Sequence, residues 1–595
     1  MRIFRKLREN IKLFIWDYIG GVQRILKALT ILVSIITTGV IIYFYGFPQT
    51  EQTRLLCNTV IHCSLLFYVM KYILAAFFNI HSFDYIRKHW IEGLVILFII
   101  VWFIFSNVYN QGAFAVLNGR GDKGFSDIAI LFVQSYFFIL MLVELSYIGN
   151  FLGKIKIAQG GLLIISFLIL ISVGTVLLLL PEMTTDDISF IDALFTATSA
   201  SCVTGLSSLE IGSAFSFKGQ FLIMLLIQLG GINIVCFASF FSLFYRGGAL
   251  RYQSLMKEML NTTLEGSRSL TREIVLYTFM IELIGFTFLF PYLQTTEVYS
   301  GSTSENLFLS AFHAIASFNN AGFCFLEGGM TNPVFQHNYY IQTITMILIF
   351  LGGIGFLTMH DISIVRKDKK SRWNRLQITS KVVLKLSFIL IFFGAALFFI
   401  LEFNNVNAET TWANKIYTAF FTSISSRTAG FNLVEVPNLR TPTRLLLLVL
   451  MLIGAAPGST GGGIKLTTFY ILFKSAMATV SGKRQVIIHN RSVSYDVVDK
   501  AYVVLIFTVL IVLVGSFILS ITDPQFSLEE IIFEVASAFG TAGLSSGITV
   551  YLSTFGKFII IIVMYIGRIT VLTLALSIAR RAFTRYTLAR TNFGI

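Results

Sequence analysis

Four short stretches of this 595-residue chain end alike. They read Ser201-Cys202-Val203-Thr204-Gly205-Leu206, Asn319-Asn320-Ala321-Gly322-Phe323, Arg427-Thr428-Ala429-Gly430-Phe431 and Gly540-Thr541-Ala542-Gly543-Leu544. The shared pattern is a small or polar residue, a small residue, glycine, then Leu or Phe. The glycines are 117, 108 and 113 residues apart, so one unit recurs four times along the chain. Four such loops meeting on one axis would aim backbone carbonyls inward, where they can replace the water around a dehydrated monovalent cation. Glycine is needed because successive carbonyls point the same way only if some residues take positive φ. The candidate ion-binding set is therefore Val203, Thr204, Gly205, Asn320, Ala321, Gly322, Thr428, Ala429, Gly430, Thr541, Ala542 and Gly543. One such tripeptide would mean little, and small residues also serve tight helix packing. Four at regular spacing favour the converging loops.

The elements that must carry these loops are also legible. Segments 190–206, 305–323, 414–430 and 527–544 each open with 10 to 13 apolar and small residues and end in a glycine-containing stretch. That is too short to cross a bilayer and reads as a re-entrant half-helix. Its irregular end is tolerated at membrane depth only if protein buries it or a watery cavity receives it. The half-helix C-termini would add partial negative charge facing a cation. Twelve longer apolar runs are candidate spans: roughly 28–46, 55–80, 91–109, 126–150, 160–180, 219–245, 273–293, 339–362, 382–402, 441–475, 498–521 and 553–579. The expected division is 1–155 as an N-terminal four-span region, then pore repeats 156–250, 251–370, 371–485 and 486–595, each a span, half-helix, loop and span. The fold class is all-α integral membrane.

Composition agrees. Hydrophobic residues make up 55% of the chain and charged residues only 13%, against about 25% charged in a soluble protein. This excludes a soluble enzyme and a disordered protein. Seven histidines, with no HExxH and no GxSxG, leave no constellation for membrane-embedded catalysis. Five cysteines without CxxC spacing suit neither a disulfide framework nor a zinc site. With the N-terminus inside, 32 of the 45 Lys and Arg residues fall in inner segments and eight in outer ones, which places both termini in the cytoplasm. The net charge of +14 then reflects inner basic segments rather than nucleic acid. The apolar run after the basic first ten residues is too long, and lacks a small-residue site, for a cleaved signal peptide.

Further residues draw attention. The run Gly454-Ala455-Ala456-Pro457-Gly458-Ser459-Thr460-Gly461-Gly462-Gly463 lies inside a span, and its five glycines and one proline break a helix. Glycines recur some 24 to 30 residues after each loop glycine, at Gly230-Gly231, Gly352-Gly353, Gly454-Ala455 and Gly567-Arg568. Arg568 is a charge inside the last span and marks function by default. Facing the pore, it raises the barrier to cations; the alternative is a structural partnership with Glu534 or Glu282. Arg427 would repel ions if it pointed inward, so it is expected to anchor its loop, with Glu534 as partner. His313 has no His or Cys at ligand spacing and reads as a packing residue. From Ile128 to Asn150 there is no Lys or Arg, so the N-terminal region is not expected to sense voltage.

The chain resembles the Trk/Ktr/HKT superfamily of potassium transporters, nearest the bacterial TrkH branch, over about residues 155 to 590. The matching segments are TATSASCVTGLS, FHAIASFNNAGF, SISSRTAGFN, FEVASAFGTAGLS, IGAAPGSTGGGIK and YIGRITVLTL. The resemblance implies four pseudo-symmetric repeats and potassium uptake across a bacterial cytoplasmic membrane, with potassium bound at the filter residues only. It also implies a homodimer and a cytosolic regulatory ring that carries the nucleotide, NAD or ATP/ADP, with no cofactor in this chain. It assigns residues 454–463, with Arg568, to a gate. Gly205 in the first filter implies potassium selectivity, which relatives with Ser there lose in favour of sodium. Cys202 departs from the family, where Thr is common. A sodium- or proton-coupled symport remains the alternative, and behind it a transporter of another fold with inverted repeats.

Overall fold

In this computed structural model the described residues are 26–78, 93, 159–244, 267–295, 302–366, 372–406 and 411–569, except single positions 27, 31, 327, 337 and 484. Apart from residue 93, the candidate spans 91–109 and 126–150 lie outside them. The chain divides into two units, Met1–Ile155 with Leu243–Arg246, and Lys156–Ser242 with Gly247–Ile595. In the first unit, helices α1 (Ala28–Gly46) and α2 (Glu51–Phe78) are long and apolar enough to cross a membrane. They are joined side by side by hydroxyl contacts, Thr37 Oγ1 to Ser64 Oγ at 2.7 Å and Ser34 to Tyr68.

The second unit is four variations on one theme. Repeat one comprises α3 (Gln159–Leu178), half-helix α4 (Phe190–Cys202) and α5 (Phe217–Phe244). Repeat two comprises α6 (Ser267–Thr295), half-helix α7 (Thr303–Asn319), α8 (Tyr339–Gly353) and α9 (Phe356–Arg366). Repeat three comprises α10 (Ile378–Glu402), half-helix α11 (Trp412–Ser425), α12 (Thr441–Leu452) and α13 (Leu466–Val480). Repeat four comprises α14 (Tyr495–Thr522), half-helix α15 (Leu528–Gly540) and α16 (Thr554–Ile569).

Each half-helix starts where its sequence says it should. Ser189, Ser302, Thr411 and Ser527 are the N-caps, each accepting a hydrogen bond from a backbone N–H three residues on. Ser302 with Glu305, and Ser527 with Glu530, complete reciprocal capping boxes. At 13 to 17 residues these helices reach roughly 20 to 25 Å, short of the bilayer's hydrocarbon core of about 30 Å. They are therefore buried on nearly every side by longer helices. Besides its own spans, α4 packs on α16, α11 on α8 and α15 on α12, so three half-helices lean on the preceding repeat's second span. That makes repeat four the neighbour of repeat one. The outward faces stay apolar: on α10, Phe388, Ile389, Phe392 and Phe393 are all exposed, as a lipid-facing surface requires.

Two of the apolar runs are divided, the first where its glycines and proline are expected to break a helix. The run 441–475 parts into α12 and α13, with residues 453–465 as irregular backbone between them. The run 339–362 also fails as a straight span: α8 and α9 meet at 91°. Gly355 sits at the corner with φ +82°, and a side chain there would press within 2.7 Å of the Pro457 carbonyl oxygen. The third repeat's irregular segment packs into this corner, a contact remote in sequence.

Candidate functional site

Three half-helices end in the same Schellman-type turn. The residue two before each loop glycine adopts left-handed backbone: Val203, Asn320 and Thr541, with φ of 56°, 59° and 47°. The N–H groups of Thr204, Ala321 and Ala542 return to the carbonyls of Ser199, Ala316 and Ser537 at 2.8 to 2.9 Å. Left-handed geometry is unfavourable for β-branched Val203 and Thr541, at a cost of order 1–3 kcal/mol each. It persists because the surrounding helices enforce it. The turn consumes the loop's N–H groups on the helix end and leaves its carbonyls free.

The third loop differs. Half-helix α11 ends on Ser425 with Ser426 still right-handed, Ala429 N–H donates to Ser425 O at 2.8 Å, and Thr428 takes φ 143°. The Thr428 hydroxyl and the Asn320 side-chain amide lie 3.1 Å apart, tying the third loop to the second.

The four loops meet. A Cβ built on Gly205 (φ +92°) would stand 2.6 Å from the Ala321 carbonyl oxygen. One on Gly322 (φ +70°) would stand 2.7 Å from Ala429 O, and one on Gly430 (φ +76°) 2.7 Å from Ala542 O. One on Gly543 (φ +81°) would overlap Thr204 O. The order runs one to two, two to three, three to four and four to one, so the ring closes. Glycine is required twice over, for its positive φ and for the neighbour's backbone against its Cα. All twelve residues singled out by sequence are thus brought to one ring. Ser199, which the sequence reading missed, locks the first loop: its Oγ accepts from Gly205 N–H at 3.1 Å. A serine one turn before the loop was the available signal.

The span glycines seat the spans against the half-helix ends. Gly230 lies against Ser201, Gly352 against Phe318 and Gly567 against Phe539, in each case four residues before a loop glycine. Repeat three breaks the rule, because Gly454 lies against Gly462 of its own irregular segment. That segment, 453–465, runs directly against the ring. Gly462 N–H donates to Thr541 Oγ1 at 2.8 Å, and a Cβ on Gly461 would press within 2.7 Å of Thr428 Oγ1. Ala456 N–H donates to Gly353 O, and Phe356 N–H to Gly458 O, each at 3.1 Å. Lys465 Nζ donates to Gly461 O at 2.7 Å.

Arg568 is buried and grips this segment. Its guanidinium donates to Thr460 O and to Gly230 O, the latter at 2.6 Å. The expected acidic partners are occupied elsewhere. Glu534 accepts from Ser545, Ser546 and Thr549. Glu282 accepts from Gln228 and Asn319, each at 2.9 Å. So neither Glu534 nor Glu282 pairs with Arg568. Nor does Glu534 anchor Arg427, whose Nη1 donates to the Ser387 carbonyl at 3.5 Å. Glu282 stands out in the sequence as a carboxylate inside a span, but its partners Gln228 and Asn319 do not. His313 stacks on Phe335 with centroids 5.0 Å apart and contacts Thr345 at 2.8 Å, a packing role.

Two ion pairs hold the half-helix starts. Lys557 Nζ meets Asp192 at 2.7 Å and Arg444 Nε meets Glu529 at 3.1 Å. Lys557 and Arg444 each lie 14 residues after a loop glycine, so they are equivalent positions in repeats four and three. Each reaches the half-helix of the next repeat.

Residues 130–583 match the TrkH family, described as a cation transport protein. The chain belongs to the TrkH cation transport family. Similarity to named TrkH-type relatives is substantial. The chain is 38% identical over 433 residues to Ktr system potassium uptake protein B of Bacillus subtilis, covering 72% of this chain and 94% of that protein. It is 35% identical over 442 residues to potassium/sodium uptake protein NtpJ of Enterococcus hirae, covering 72% and 96%. Among solved structures, the potassium transporter TrkH from Vibrio parahaemolyticus aligns with a TM-score of 0.59 over 80% of this chain and 96% of its own, at 18% identity, which speaks to the fold. A TrkH-family chain is a transporter and not an enzyme, and this one is a multi-pass membrane protein.

Proposed function

We propose that this protein takes up potassium across the bacterial cytoplasmic membrane through the ring formed by Val203–Gly205, Asn320–Gly322, Thr428–Gly430 and Thr541–Gly543. The observation that carries this reading is the closed cycle of loop glycines, each backed by a neighbour's carbonyl. Carbonyls freed by the Schellman turns replace the ion's hydration shell. The names of the potassium uptake relatives support the choice of ion. Segment 454–463, held under the ring by Arg568, is the gate: while Gly461 and Gly462 lie on Thr428 and Thr541, an ion leaving the ring has no open way down. Transport then requires this segment to move aside.

Both termini are cytoplasmic, as the distribution of Lys and Arg supports. The chain works as a homodimer with a cytosolic nucleotide-binding ring. Two relatives named as the B and D proteins of a Ktr system support a partnered assembly. The nucleotide, NAD or ATP/ADP, belongs to that partner. The name of the Enterococcus relative, potassium/sodium uptake, keeps a sodium-coupled symport as the competing reading. The test is reversal potential in proteoliposomes under opposed potassium and sodium gradients. A potential that follows potassium alone supports the proposal. One that shifts with sodium or proton gradients favours the symport.

A further inference from the structure

Behind the third loop, between repeats two and three, lies a cavity of about 20 Å³. Its lining includes Ile349, Ile391, Ser387, Asn320, Thr428 and Arg427. Arg427 is 8% exposed and Ser387 1%. Neither Arg427 Nε nor Ser387 Oγ has a hydrogen-bond partner among the described residues. The only donation from this guanidinium among the described residues is the long one to Ser387 O. No carboxylate among the described residues forms an ion pair with it.

A guanidinium keeps its charge under all ordinary conditions. A buried charge without a counter-charge is among the most costly features a fold can hold. The C-terminus of half-helix α11 offsets about half of one elementary charge. The remainder faces the cavity, immediately before the loop Thr428-Ala429-Gly430. A cation in the ring would be repelled by it. Water in the cavity would satisfy Nε but carries no charge. The space exceeds the roughly 10–15 Å³ that one water needs and suits a monatomic anion better than a phosphate group.

We propose that this cavity is a halide site. The anion accepts from Arg427 Nε–H and Ser387 Oγ–H against the apolar wall of Ile349 and Ile391. By neutralising Arg427 it lowers the barrier that the third loop presents to cations. The anion is a fixed component and is not transported.

The test uses the full chain purified and crystallised with bromide in place of chloride. The expected result is one anomalous bromine peak within hydrogen-bond reach of Arg427 Nε, lost in Arg427→Gln and weakened in Ser387→Ala. Rubidium uptake into proteoliposomes should fall roughly tenfold when halide is exchanged for gluconate on both sides, the scale of one charge-assisted contact. Arg427→Gln, which needs no counter-ion, should show no such dependence. Should Arg427→Gln not fold, Ser387→Ala carries the comparison, with a weaker peak and a higher halide concentration for half-maximal uptake. A cavity holding only water, or a bromine peak that survives in Arg427→Gln, overturns the proposal. The crystallographic arm does not depend on which cation the ring passes.

Discussion

Arg568, near the end of the last described helix, donates to the carbonyl oxygen of Thr460 in the third repeat's irregular segment. The same guanidinium holds Gly230 O in repeat one at 2.6 Å. One side chain therefore fastens the segment under the ring to two repeats other than its own. Charged hydrogen bonds are worth about 1.5–3 kcal/mol. Arg568→Gln should release the segment and raise rubidium flux by roughly tenfold or more, with potassium-over-sodium selectivity nearly unchanged. A fall in flux from a well-folded variant would instead assign Arg568 a purely structural role.

Gly205→Ser should lower potassium-over-sodium selectivity. The new Cβ would stand 2.6 Å from Ala321 O in a backbone at φ +92°. The loop must yield, which displaces the Thr204 carbonyl and, across the seam, that of Ala321. Bi-ionic reversal potential reads this directly, and an unchanged value would remove these loops from selectivity.

Gly461→Ala places a methyl within 2.7 Å of Thr428 Oγ1 and should lift the segment off the ring. Basal flux should rise several-fold, approaching that of a chain with part of 455–462 deleted. Wild-type rubidium uptake in the deletion would mean that the segment is not the gate.

Lys557 and Asp192 are largely buried, with side chains 12% and 14% exposed, so each single neutralisation leaves a poorly solvated charge. Lys557→Met or Asp192→Asn should lower stability by about 1–3 kcal/mol. The double variant should recover much of that loss. A thermal-shift double-mutant cycle in detergent measures the coupling, and strict additivity would show that the pair does not join repeats four and one.

Glu282→Gln keeps the size of the side chain and should disturb transport less than Glu282→Ala. The carboxylate accepts from Asn319, the residue next to Asn320 of the second loop, and from Gln228. In the alanine variant Asn319 loses its charged acceptor and keeps Gln228 Oε1 and Ile315 O, and potassium selectivity should fall. Equal selectivity in both variants would separate this cluster from the ring.

Much of the molecule was written locally. The N-caps Ser189, Ser302, Thr411 and Ser527 and the apolar runs after them define the half-helices, because capping and burial act within a few residues. The loop glycines announced positive φ before any contact was known. Helix breaking at 454–463 follows from glycine and proline content. What tertiary structure decided is everything that joins distant repeats. Arg568 and Gly230 are 338 residues apart, and Arg568 and Thr460 are 108 apart. Sequence shows that a buried arginine needs acceptors, but carboxylates and backbone carbonyls both qualify, and only packing brought two carbonyls within reach. The same holds for the corner at Gly355, against which Pro457, about a hundred residues downstream, packs. Glu534 was drawn away from both arginines by three hydroxyl-bearing residues just after its own loop. A local hydrogen-bond set satisfies it in place of a long-range ion pair.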